Sequence, residues 1–209
     1  MNNTTNKTYD FIGDFSDGLA AVELRGKWGF INEQGYEVVK PKYDLVWDFN
    51  EGLSKVKLNG KCGFVNKTGK EVIELKYENV GAFDEGLATF ELYGKWGFVD
   101  LRGIEVVSPK YDEVLEFRNG LALVKLNGKW GFIDKKGEVV IPLDFDSLLP
   151  FYDDLAQAVL GHKWGHIDKR GNVIIPFKFD SVGPFDKGRA QVKLGDKWGY
   201  IDKKGNEYF

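Results

Sequence analysis

The chain of 209 residues holds a single cysteine, Cys62. One thiol closes no intramolecular disulfide, so the fold does not depend on an oxidising compartment. Histidine is nearly as scarce, with only His162 and His166. No apolar run approaches the roughly 18–20 residues that a membrane-spanning helix needs. Met1 to Asp10 is polar and lacks the apolar stretch of a leader peptide, which sets the expected location in the cytoplasm. A secreted location would require a leader removed ahead of it. Nor is there an excess of one charge: 29 basic residues face 32 acidic ones, and both signs alternate along the chain. That balance excludes the bulk basic field on which nucleic-acid binding relies.

What the chain does have is glycine, 26 residues, and aromatics, 15% of the total. Together they point to many tight turns between short strands. The spacing of one motif organises them. Trp-Gly occurs at Trp28, Trp96, Trp130, Trp164 and Trp198, with a gap of 68 followed by three of 34. Halving the first gap leads to position 62, where Lys61-Cys62-Gly63-Phe64 repeats the motif with Cys for Trp. Six copies therefore lie in register. The preceding Lys recurs from Lys27 to Lys197, and an aromatic recurs at Phe15, Phe49, Phe83, Phe117, Phe151 and Phe185. A Tyr/Phe-acidic pair precedes that aromatic, from Tyr9-Asp10 to Phe179-Asp180. The units are about 8–41, 42–75, 76–109, 110–143, 144–177 and 178–209. They form a single repeat domain over 8–209, after a polar tail at 1–7.

The fourth unit shows the local logic. Leu121 to Leu126 has the length and composition of a strand. Asn127-Gly128 suits a type I′ turn, whose two central residues both need positive φ. Lys129 to Ile133 returns as a second strand. In the turn Asp134-Lys135-Lys136-Gly137, Asp caps and Gly takes the left-handed position. Glu138 to Ile141 is a third strand, and a less regular connector, Phe145 to Phe151, leads onward. In the fifth and sixth units Gly161-His162 and Gly195-Asp196 put Gly first, which suits type II′. On the motif strand, Trp130 and Phe132 share one face, expected to be the packed one, and Gly131 permits close approach of another backbone or ring. Helical repeats of the same period are excluded by two glycine turns per unit and the absence of a 3.6 period. One meander cannot bury its apolar face alone, so neighbours must stack. The expected fold is all-β: six three-stranded antiparallel meanders stacked in an open twisted solenoid. The alternative is a closed six-bladed β-propeller, for which 34 residues are few per four-stranded blade.

The core Gly-Lys-Trp-Gly-Phe-Ile-Asp, seen at Gly26 to Asn32, Gly94 to Asp100 and Gly128 to Asp134, resembles the bacterial WG-repeat family. Cys62 for Trp, and His166 and Tyr200 for Phe, depart from it. The resemblance implies an interaction module without catalytic residues.

No catalytic, metal or cofactor site stands out. His162 and His166 lack further ligands of fixed geometry. Cys62 reads as a buried substitute, with no group nearby to lower its pKa. No nucleophile–base pair or phosphate loop is visible, so the protein is expected not to be an enzyme and to use no cofactor. The motif Lys and the acid of each Tyr-Asp pair are expected to form an ion-pair ladder between units. Because the regular positions are explained by packing, function is sought where copies disagree. Trp47 falls in the column of Gly13, Gly81, Leu115, Leu149 and Gly183, where the unit needs no Trp. Trp47, Leu115, Leu149, Phe151 and Tyr152 are the candidate binding residues. The expected partner is another protein. A carbohydrate or cell-wall glycan is the alternative, with no nucleic acid and no membrane span.

Overall fold

Turn chemistry fixes the frame. In the computed structural model, which describes residues 8–152 and 154–209, Asn127 and Gly128 have φ of 52° and 79°. These are the paired positive values of a type I′ turn. The polar tail expected at 1–7 lies outside the described residues. Gly161-His162 is also of this kind, with φ of 57° and 66°, so the type II′ assignment there is corrected: His162 itself enters the left-handed region. At Gly195 φ is 60°, as type II′ requires of its first residue. The third-strand turns are capped as expected: Asp134 Oδ1 accepts from the Lys136 and Glu138 amides, at 2.9 Å each.

The described residues form six four-stranded antiparallel sheets and no helix. Each sheet is a meander with neighbouring strands in chain order, and none closes on itself. The second consists of Leu45–Asn50, Leu53–Leu58, Lys61–Asn66 and Glu71–Tyr77. The expected three-stranded meander is thus present, and the connector adds a fourth strand. Its cause is a second two-residue turn: Glu51 and Gly52 have φ of 49° and 81° and fold Leu45–Asn50 back on Leu53–Leu58. The chain divides into two compact units, Met1–Pro109 with the first three sheets and Lys110–Phe209 with the last three.

The motif strand is packed on both faces, not only on its Trp/Phe face. In the first unit, Phe30 of the first sheet and Val65 of the second belong to one cluster; Phe64 of the second and Val99 of the third belong to another. The motif Phe of one sheet thus packs with the Val/Ile of the next, as Phe132 does with Ile167 in the second unit, and the middle sheet of the first unit has no free face. The connector aromatic completes the junction: Phe49 lies 4.9 Å from Phe30 and Phe83 4.8 Å from Phe64, centroid to centroid. In the second unit Phe151 meets Phe132 at 4.8 Å and Phe185 meets His166 at 5.0 Å.

The motif Trp is not the deepest residue. Trp28, Trp96, Trp130 and Trp164 are only partly buried, and Trp198 is exposed. The largest fully buried side chains are the corner tyrosines Tyr43, Tyr77 and Tyr111, ahead of rings such as Phe64 and Phe83. Tyr43 sits directly across the ladder from Trp28. The Tyr77 hydroxyl donates to Glu105 in the next sheet at 3.0 Å, and Tyr43 does the same to Glu71 at 2.9 Å. Burial and the neighbouring carboxylate hold the Tyr77 phenol protonated far above its usual range.

The motif Gly answers to a close approach of backbone. The register slips between Trp130↔Phe145 and Phe132↔Ile141, and the bulge this creates pushes backbone against the motif strand. A Cβ on Gly131 would stand 2.5 Å from the Ile141 carbonyl oxygen. The expected ion-pair ladder is formed at Lys27–Asp44, at 2.5 Å, at Lys163–Asp180, at 2.6 Å, and at Lys129–Asp146. Each acid also caps the next hairpin: the Asn59 amide donates to Asp44 at 2.6 Å and the Gly195 amide to Asp180 at 2.7 Å. One carboxylate thereby joins two sheets, and its pKa falls below the usual carboxylate range, chiefly through the Lys hydrogen bond.

Candidate functional site

Where the connector strand of one sheet faces the next sheet, the repeat leaves a cleft. One such cleft, about 390 Å³, lies in the Lys110–Phe209 unit. Its lining includes Leu149, Phe151 and Tyr152, three of the five residues singled out from the sequence. Leu149 is 41% and Tyr152 71% exposed, while Phe151 is held against Phe132. Tyr152 stands at the hairpin tip, where its amide donates to the Leu155 carbonyl at 2.9 Å. Asp154 follows with φ of 69°, in the place that glycine takes in the other units. Prolines 150 and 184 stiffen both walls, and among the described residues Arg118 is the only charged side chain in the lining.

His166 lies in the same wall, paired across the ladder with Gln157. It occupies the motif Phe slot and is 2% exposed. Neither ring nitrogen has a hydrogen-bond partner. Burial pushes its pKa down to about 4; the Gly183 backbone opposes that without reaching hydrogen-bond geometry. The imidazole is therefore neutral at pH 7, with one donor and one acceptor unmet. In the sequence His166 is a departure from the motif Phe without further metal ligands. The signal that marks it is a polar residue in a column otherwise filled by Phe30, Phe64, Phe98, Phe132 and Tyr200.

Trp47 lines a smaller cleft of about 220 Å³ in the Met1–Pro109 unit. Phe64 and Phe83 occupy there the positions of His166 and Phe185. The two clefts are the same place in different repeats. Trp47 is 40% exposed, and the Lys55 ammonium lies 4.4 Å from its ring centre. Lys55 also donates to the Val80 carbonyl at 2.7 Å, so its polar needs are met, and burial lowers its pKa. Leu115 is exposed but lines neither cleft, so the structure does not join it to the other candidates. His162 is on an exposed turn, apart in environment from buried His166. Cys62 is buried, with Sγ 3.9 Å from the Glu78 carbonyl oxygen. Among the described residues no group of three or more His, Cys, Asp and Glu side chains is arranged to hold a metal ion. No helix there is long and apolar enough to cross a membrane.

A family described as "WG containing repeat" matches residues 5–28, 28–62, 63–96, 96–130, 130–164 and 164–198. Among curated proteins none matches the sequence. Similar solved structures include a eukaryotic initiation factor, 10% identical with a TM-score of 0.50 over 97% of this chain and 65% of that one. Another is the extracellular domain of the BT4673 system from B. thetaiotaomicron, at 14% identity and a TM-score of 0.36. That match covers 96% of this chain but 34% of the other. Kluyveromyces lactis Hsv2 is similar at 11% identity and a TM-score of 0.46, over 93% of this chain and 74% of that one. At such identities the likeness is one of fold alone.

Proposed function

From the premise that the chain belongs to the WG-repeat family along nearly its whole length, we propose that it is a non-enzymatic array whose inter-sheet clefts bind another protein. One observation carries this reading: the cleft at Leu149, Phe151 and Tyr152 is apolar, half open and rimmed by exposed side chains that no fold contact requires. Rigid aromatic and apolar anchors around a concavity are the usual centre of a protein interface. The other strongly perturbed groups have structural explanations. Asp202, for instance, is lowered to about 2 by the Asn206 side chain and by turn amides, which is capping. A cytoplasmic setting suits a fold that needs no disulfide.

The half-exposed indoles of Trp47 and Trp198 favour a second reading, carbohydrate binding through ring stacking. A paired experiment separates the two. Wild type and a Leu149→Ser/Tyr152→Ala variant are presented to a peptide array and to a glycan array. Peptide retention that the variant loses supports the proposal. Glycan retention that the variant keeps, with no peptide retained, refutes it.

A further inference from the structure

We propose that the cleft between the fifth and sixth sheets is a recognition site for a tyrosine side chain that a protein partner presents beside an acidic residue, with the phenol hydroxyl bound to His166. The inference rests on the protein-binding reading above and names what that binding recognises.

Three features define the occupant. First, the walls are built from rings and stiff apolar groups: Phe151, Tyr152, Phe185, Leu149 and two prolines. A flat ring fits such a slot, and aromatic pairs gain beyond simple burial. Second, the cleft carries an unmet polar requirement. His166 is 98% buried by its 2% exposure, lines the cleft, and has no partner at either nitrogen. Buried polar atoms in native proteins are almost always paired, so this one marks a partner that arrives from outside the chain. A phenol hydroxyl both donates and accepts, and so pairs with the ring nitrogen it meets in either tautomer of a neutral imidazole. A plain phenyl ring would leave both nitrogens orphaned. Sites that bury a hydrogen-bonding group reject the analogue that lacks it. Third, among the described residues Arg118 is the sole charge in the lining and has no ion pair. A carboxylate beside the incoming ring would meet it, whereas a second cation would be repelled.

The repeat supplies an internal control. In the equivalent cleft at Trp47 the floor is Phe64, so nothing there asks for a hydroxyl. The part that must yield is the Phe185 ring, which meets the imidazole in a T-shaped arrangement, 5.0 Å between centroids.

The test is a nitrogen-15 NMR titration of the full chain, observing the imidazoles of His166 and of exposed His162. The probes are end-blocked Asp-Tyr-Asp, Asp-Phe-Asp and Lys-Tyr-Lys tripeptides, and p-cresol as a free phenol. Asp-Tyr-Asp is expected to shift the His166 nitrogens saturably, leave His162 unmoved, and bind at least tenfold tighter than Asp-Phe-Asp or Lys-Tyr-Lys. His166→Phe restores the residue of the other units and so should fold; in it the Tyr-over-Phe preference should vanish. Arg118→Ser should abolish the preference for acidic over basic peptide. Equal binding of the Tyr and Phe peptides, or none up to millimolar concentration, would overturn the proposal. So would p-cresol binding as tightly as the peptide, since the ligand would then be a small phenol rather than a partner's tyrosine. Retention of other peptides through Leu149 and Tyr152 without any shift at His166 would refute the tyrosine proposal alone. Loss of all peptide retention would refute the binding array with it.

Discussion

Replacing His166 by Phe should make the protein less sensitive to acid, and the size of the effect follows from the site. The His166 pKa is depressed from an ordinary 6.5 to about 4 in the folded state. Below pH 6.5 the unfolded chain takes up a proton that the folded protein refuses. Stability from this group is thus fully present above pH 6.5 and is lost as pH falls toward 4. At about 1.4 kcal/mol per pK unit, moving from pH 7.5 to 4.5 should remove about 2.5 kcal/mol. The group is almost wholly buried, so solvent screening does not erode this figure as it would at the surface. The window lies above the titration of Asp44, Asp146 and Asp180, whose lowered pKa values withdraw stability as pH falls through the ordinary 3.8 and below it. Urea unfolding of wild type and His166→Phe at the two pH values measures it. Wild type should lose about 2.5 kcal/mol more than the variant on acidification. Parallel losses would mean that the imidazole is hydrated or paired in solution, and the reasoning about an orphaned buried histidine would be wrong.

Other changes have outcomes set by single contacts. Gly131→Ala drives a Cβ to 2.5 Å from the Ile141 carbonyl and should cost about 2–4 kcal/mol by urea unfolding, as overpacking against backbone does. Gly183→Ala meets nothing closer than 3.7 Å and should change stability by less than about 0.5 kcal/mol in the same assay. Tyr77→Phe removes the buried hydroxyl bond to Glu105 and should cost about 1.5 kcal/mol, read as a lower thermal midpoint. Trp47→Ala loses a half-exposed ring under Lys55 and should cost under about 1.5 kcal/mol; a loss of several would make Trp47 a core residue.

Much of this architecture was legible because the chain aligns with itself. The period, the Asn127-Gly128 turn, the Asp134 cap and the Lys–Asp ladder each follow from short-range chemistry repeated six times. The fourth strand was missed, because the connector reads as irregular although a turn signal precedes the following strand. Asp17-Gly18, Glu51-Gly52, Glu85-Gly86, Asn119-Gly120 and Lys187-Gly188 are all two-residue turn signals just before a strand, with positive φ at both residues. The depth of the rings was not. Trp28 reads as core by size, but the ladder puts Tyr43 opposite it, and Tyr43 takes the buried place because its hydroxyl reaches Glu71. The candidate site was half visible. Leu149 and Tyr152 break the repeat pattern, and with the regular aromatic Phe151 they share one cleft. His166 breaks it as well, but its significance depends on Phe185 and the next sheet, a contact that no single unit contains.

The account holds that the regular positions build the array and the irregular ones at the cleft bind. Retention of peptides by wild type and by Leu149→Ser/Tyr152→Ala, with both shown by urea unfolding to be equally stable, tests this most directly. The account predicts that the variant keeps its stability and loses at least tenfold in affinity. Undiminished binding by an equally stable variant would contradict it.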